Sequence, residues 1–146
     1  MDGVEVDPKL VDLAMKYFYL DELYETYRLH ESDRLQIIIS DGEEYLLHCN
    51  KRYDAIFNDA YHGSTSDAGL LKEQGVRAIK KSLKHDGVYA LNLITALSGS
   101  LSMRGVMAEA TLKQHFRNVH VFPCTTGRKP DENQNCVIVA TDLELF

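Results

Sequence analysis

The chain has 146 residues, enough for one hydrophobic core and too few for two ordinary domains, so a single domain over residues 1–146 is expected. Its net charge of -6, with no lysine/arginine cluster, argues against sequence-independent nucleic-acid binding and leans towards a neutral or cationic substrate. No stretch approaches the ~18 apolar residues of a membrane span, and Met1-Asp2-Gly3-Val4-Glu5 has neither the basic end nor the apolar core of a signal peptide, so no membrane partner and a cytoplasmic location are expected.

In chain order, Val4-Glu5-Val6 reads as a strand, and Asp7-Pro8 supplies an N-cap followed by proline at the first helical position. Leu10, Val11, Leu13, Ala14, Tyr17, Phe18 and Leu20 recur at helical spacing, which predicts a helix over 8–20 with one face packed on a sheet. Residues 21–32 read either as a short helix or as an irregular connection. Arg34 to Ser40 is strand-like, Asp41-Gly42 stops it, and Glu43 to Asn50 reads as a short amphipathic helix.

Tyr53 to Asp59 is the next strand. After a loop over 60–67, Leu70, Leu71, Val76, Ile79 and Leu83 predict a helix that Gly87 terminates. Val88 to Ile94 is a buried strand, and Ser98-Gly99-Ser100 opens a helix running to about Phe116. Val119–Phe122 and Cys136–Ala140 are two strands joined by a polar loop, expected to pair antiparallel. This alternation predicts a doubly wound α/β sheet, mostly parallel. The three cysteines, Cys49, Cys124 and Cys136, show no metal-ligand spacing; reduced thiols and no metal site are expected, with a Cys124–Cys136 bridge as the minor alternative.

Three carboxylates close three successive strands. Glu5 has the place of the acidic residue that accepts from ribose hydroxyls in nucleotide-binding sheets, and equally that of a helix cap or solvated end. Asp41 could accept from an adenine amino group with Gly42 allowing close approach, or could serve as a turn and N-cap. Asp59 ends its strand at the sheet edge where such folds place chemistry. Tyr61, His62 and Gly63-Ser64-Thr65-Ser66 read either as a lid over that edge or as a solvated connection. Asn92, on a buried strand, faces either a ligand or a core hydrogen-bond partner. Tyr17, Phe18, Tyr24 and Tyr27 cover the core or an oligomer contact. No Gly-x-Gly-x-x-Gly turn occurs, which sets aside a nicotinamide dehydrogenase.

Val4-Glu5-Val6-Asp7-Pro8, Ile39-Ser40-Asp41-Gly42-Glu43-Glu44-Tyr45-Leu46, Tyr53-Asp54-Ala55-Ile56-Phe57-Asn58-Asp59-Ala60 and Gly87-Val88-Tyr89-Ala90-Leu91-Asn92 resemble, in order and spacing, the spermidine synthase (polyamine aminopropyltransferase) family. Asn92 in Ala90-Leu91-Asn92-Leu93-Ile94 is most like the divergent spermidine-synthase-like branch. The resemblance implies a methyltransferase-type Rossmann sheet, decarboxylated S-adenosylmethionine or S-adenosylmethionine as donor, a small-molecule amine acceptor, and homo-oligomers such as family members often form. It further implies Glu5 as the ribose-binding residue, Asp41 and Gly42 as the adenine-holding pair, and Asp59 as the catalytic carboxylate that takes a proton from the attacking amine.

Two departures bear on these expectations. Three positions after Asp59 the family usually has a second acidic residue, and here His62 stands there. The family's first strand, glycine-rich loop and N-terminal β domain would all precede Met1, so the resemblance implies a partial, N-terminally truncated domain that lacks them. The chain is then expected to be weakly stable or to bind adenosyl ligands poorly; alternatively, the strands flanking the gap close up and pair directly, leaving a fold that has lost its ligand site. The expected function is therefore an aminopropyl or methyl transferase domain using Asp59, and the alternative is a catalytically silent Rossmann-like fragment or interaction module.

Overall fold

The computed structural model describes residues 1–62, 65–66 and 69–144. The chain forms two compact units, Met1–His48 and Cys49–Phe146.

In the first unit, strands β1 (Asp2–Glu5) and β2 (Gln36–Ile39) pair in parallel, with Asp2 opposite Gln36 and Glu5 opposite Ile39. Helix α1 (Pro8–Tyr17) starts as its sequence dictates: Asp7 is extended, its carboxylate accepts from the Lys9 N–H at 2.9 Å, and Pro8 occupies the first turn. The helix stops at Tyr17, three residues short of expectation, because Tyr19 adopts a left-handed conformation (φ 60°) that turns the chain. The undecided stretch then resolves into helix α2 (Leu20–Thr26) and one 3-10 turn at Leu29–Glu31.

Tyr24, Leu29 and Leu35 form the buried cluster of this unit, joined by Met15, Leu20 and Ile37. The expected packing of the whole apolar face of α1 is not found: none of its residues is buried, and Leu10, Leu13 and Tyr17 are exposed. Of α1, Met15 packs against the cluster, beside Leu20 of α2 and Ile37 of β2. Helix α3 (Gly42–His48) follows β2 directly, and its Tyr45 hydroxyl donates to Asp2 Oδ2 at 2.9 Å.

The second unit contains β3 (Tyr53–Asn58), the short antiparallel pair β4 (Tyr61–His62) and β5 (Thr65–Ser66), helix α4 (Glu73–Ser82), β6 (Leu83–Thr95), helix α5 (Met103–Lys113), β7 (Asn118–Pro123) and β8 (Gln134–Thr141). Its main sheet has the order β3-β6-β8-β7. Strand β3 is parallel to β6, while β8 is antiparallel to both neighbours. The two C-terminal strands thus pair antiparallel as expected, with β8 inserted between β6 and β7. Tyr89, Leu91 and Leu93 of β6, Cys136, Ile138 and Ala140 of β8, Val76 and Ile79 of α4 and Leu112 of α5 are almost wholly excluded from solvent. Alternation along β6 and β8 sends every second side chain into this core.

Gly87 is not a helix terminator. Helix α4 ends at Ser82, and Leu83 is already extended. Gly87 lies inside β6 where the ladder with β3 slips, between the Tyr53–Leu83 and Ala55–Val88 pairs. A Cβ there would fall 2.9 Å from Leu83 Cδ2 and 3.0 Å from the Lys84 carbonyl oxygen, so the irregularity needs a residue without a side chain. The expected helix from residue 98 is likewise shorter, because Gly99 is left-handed (φ 75°) and Ser100–Ser102 make a 3-10 turn before α5.

Among the described residues the main-chain partner of β1 is β2 and that of β3 is β6. No described helix is long and apolar enough to cross a membrane. None of the three cysteines is in a disulfide, so no Cys124–Cys136 bridge is formed.

Candidate active site

In the first unit, parallel pairing brings the carboxyl ends of β1 and β2 side by side, and the Ser40 N–H donates to the Glu5 carbonyl at 3.0 Å. Glu5 and Asp41-Gly42 therefore share one sheet edge, where open α/β sheets bind ligands. Glu5 Oε1 accepts from the Asp7 N–H at 2.8 Å, which ties the carboxylate to the turn entering α1. Asp41 Oδ1 accepts from the Glu44 N–H at 3.0 Å, so Asp41 does act as the cap of α3. One oxygen of each carboxylate meets a backbone donor and the other meets none among the described residues. The capping and ligand-binding readings are thus compatible at both positions.

In the second unit, Asp59 is the first residue beyond β3, and its carboxylate is exposed. Asn58, one residue earlier, is buried and fixed at both ends of its amide: Nδ2 donates to the Tyr89 hydroxyl at 2.9 Å, and Oδ1 accepts from the Ala60 N–H at 3.0 Å. These bonds turn the chain immediately around Asp59. Asn92, near the carboxyl end of β6, donates from Nδ2 to Asp59 Oδ1 at 2.7 Å. The Tyr61 hydroxyl donates to the Asn92 backbone carbonyl at 3.2 Å.

Burial is the main influence raising the Tyr61 phenol above its ordinary pKa, and the neighbouring Asp59 carboxylate adds to it; the Ile94 backbone and Arg104 act weakly the other way. Tyr61 therefore stays a neutral donor beside an anion. The backbone of His62 belongs to the β4–β5 pair, but its side chain, and Gly63 and Ser64 of the expected lid, lie outside the described residues.

Sequence reasoning left Asn92 between two readings and did not single out Asn58 or Tyr89. The available signal was register. With Asn58 opposite Leu91 in a parallel ladder, the next residues along each strand are Asp59 and Asn92.

The α/β fold, with its mixed main sheet, is one shared with solved spermidine synthase and methyltransferase structures of the Rossmann type. At TM-score 0.69 and 22% identity, it matches a spermidine synthase solved in complex with the transition-state analogue AdoDATO, over 97% of this chain and 46% of that one. It also matches human methyltransferase-like protein 13 in complex with SAH, at TM-score 0.67 and 23% identity, over 96% of this chain and 60% of that one.

The family described as "Spermine/spermidine synthase domain" matches residues 1–140, and the chain belongs to that family. A polyamine aminopropyltransferase of Vibrio vulnificus (strain CMCP6) is 30% identical over 140 residues, which are 96% of this chain and 42% of that protein. The chain thus spans less than half the length of this curated relative.

Proposed function

We propose that this chain is a transferase domain that moves an aminopropyl group, or a methyl group, from an adenosyl-sulfonium donor to an amine. The donor is decarboxylated S-adenosylmethionine or S-adenosylmethionine. Asp59 is the carboxylate on the amine side, Glu5 accepts from the ribose hydroxyls, and Asp41 with Gly42 holds the adenine; Tyr61 and His62 border the acceptor. The carrying observation is the Asp59 carboxylate, exposed just beyond a parallel strand, with Oδ1 held by Asn92 and Oδ2 unengaged among the described residues.

An alkylammonium has a pKa near ~10 and cannot attack carbon until it loses a proton. Asp59 Oδ2 attracts the ammonium and accepts that proton. The amine lone pair then forms the new C–N bond as the donor's C–S bond breaks, and the sulfur leaves as a neutral thioether, methylthioadenosine in the aminopropyl case. Such a displacement depends mostly on positioning.

The test is release of the thioether product from each donor in the presence of 1,4-diaminobutane. Asp59→Asn should lower turnover by roughly 10²-fold or more. Turnover by Asp59→Asn at the parent rate would refute the role of Asp59, and failure to bind either donor or methylthioadenosine would refute the transferase reading.

A second reading, a catalytically silent module acting by association, draws on the exposed apolar stripes Leu10-Leu13-Tyr17 of α1 and Met103-Val106-Met107 of α5. Under that reading Asp59→Asn leaves association intact.

A further inference from the structure

We infer that Asn92 is a positioning residue for Asp59, holding one carboxylate oxygen so that the other alone is presented to the acceptor amine. The inference rests on the reading of Asp59 as the amine-side carboxylate.

Asp59 stands where the β3 ladder has ended: Asn58 opposite Leu91 is its last rung with β6. A carboxylate at such a position is free to rotate unless a side chain holds it. The 2.7 Å bond from Asn92 Nδ2 to Oδ1 supplies that hold, and as a bond to a charged acceptor it is of the stronger kind.

Asn92 is itself fixed. Its strand is sandwiched between β3 and β8, Asn92 lies opposite Val137, and its carbonyl receives the Tyr61 hydroxyl. Tyr61 thereby reaches the same residue that orients Asp59. Raised in pKa by burial first and by Asp59 second, Tyr61 keeps its proton for this bond.

The other end of the Asn92 amide is equally informative. Its Oδ1 is buried and has no hydrogen-bond partner among the described residues. A side chain placed only to satisfy the core would not leave a buried acceptor unmet, because that is costly. Turning the amide over would set Oδ1 against the Asp59 carboxylate, oxygen against oxygen. The amide is thus oriented by Asp59.

The choice of residue type also fits. Asparagine offers a neutral donor that leaves the full negative charge of Asp59 for an ammonium. A lysine here would neutralise it, an aspartate would repel it, and a leucine of similar volume would leave it to rotate.

Solution NMR of the whole chain tests this with or without turnover. The Asn92 side-chain 15N–1H2 pair, assigned by its loss in Asn92→Leu, should move on Asp59→Ala; an unmoved pair overturns the inference. The Asp59 13C-carboxyl signal is then followed during titration with 1,4-diaminobutane. Asn92→Leu should weaken the apparent Kd by about 10-fold and Asn92→Asp by more, with unchanged urea midpoints in Asn92→Leu.

Where turnover is measured, kcat/KM for the amine should fall in parallel while KM for the donor holds. Equal amine affinity in the parent and Asn92→Leu overturns the inference and leaves the reading of Asp59 standing. No amine response at Asp59 in the parent protein overturns that reading, and the inference with it.

Discussion

Removing one hydroxyl, Tyr89→Phe, should loosen the strand end from which Asp59 emerges. Tyr89 is fully buried, and its oxygen is the acceptor for Asn58 Nδ2 at 2.9 Å. The substitution removes that bond, whose net worth is about 1 kcal/mol, and leaves an amide N–H on a residue only 7% exposed without a partner, so the total should reach about 1.5–2 kcal/mol. For a chain of this size that is a fall of roughly 3–8 °C in Tm.

Urea unfolding of Tyr89→Phe, Asn58→Leu and the double variant gives the coupling directly. Two side chains that share one hydrogen bond should couple by about 0.5–2 kcal/mol. Coupling below about 0.3 kcal/mol would show that the 2.9 Å contact does not carry the stability assigned to it and would refute the reasoning.

Two further outcomes follow from the same core. Burial pushes the Tyr89 phenol far above its ordinary value, and the Asn58 hydrogen bond offsets this only in part. The folded state thus keeps a proton that the unfolded chain loses near pH ~10: stability is fully present below that pH and is lost as pH rises towards the folded value. Tyr89→Phe should flatten this alkaline loss in urea midpoints measured between about pH 9 and 11, and an unchanged slope would assign the loss to other groups. Gly87→Ala should destabilise by about 1–3 kcal/mol, because its Cβ would meet Leu83 at 2.9 Å in a region already close-packed; a parent-like urea midpoint would contradict the need for glycine there.

Much of the architecture was legible as short β-branched runs ending in carboxylates. Asp7-Pro8 announced the start of α1, and Asp41-Gly42 marked the end of β2. The errors have physical causes. Gly87 follows Lys84-His85-Asp86, a pattern that mimics a helix stop, yet its small size serves a close approach within β6. The aromatic run Tyr17-Phe18-Tyr19 carries no glycine to signal the left-handed turn at Tyr19.

Periodicity identified the apolar face of α1, but a period says which side chains share a face and not what covers them. For the site, the carboxylates were visible as strand ends. The Asp59–Asn92 bond was not, because it depends on the register between two strands separated by α4. The insertion of β8 between β6 and β7 is likewise a matter of topology that no local signal encodes.

Loop-closure entropy makes that insertion favour one order of strand pairing during folding. Pairing β8 with β7 closes the loop between Pro123 and Cys136, whereas pairing it with β6 first would close the roughly three-fold longer loop between Thr95 and Gln134. The longer closure costs about 1 kcal/mol more in chain entropy. The cheaper route makes the hairpin first and then docks it as a body on β6. Under that sequence of events, the strand carrying Asn92 is clamped on its second side only by the docking step, and a slow or failed docking leaves Asp59 without a settled partner even when β3 and β6 have already joined.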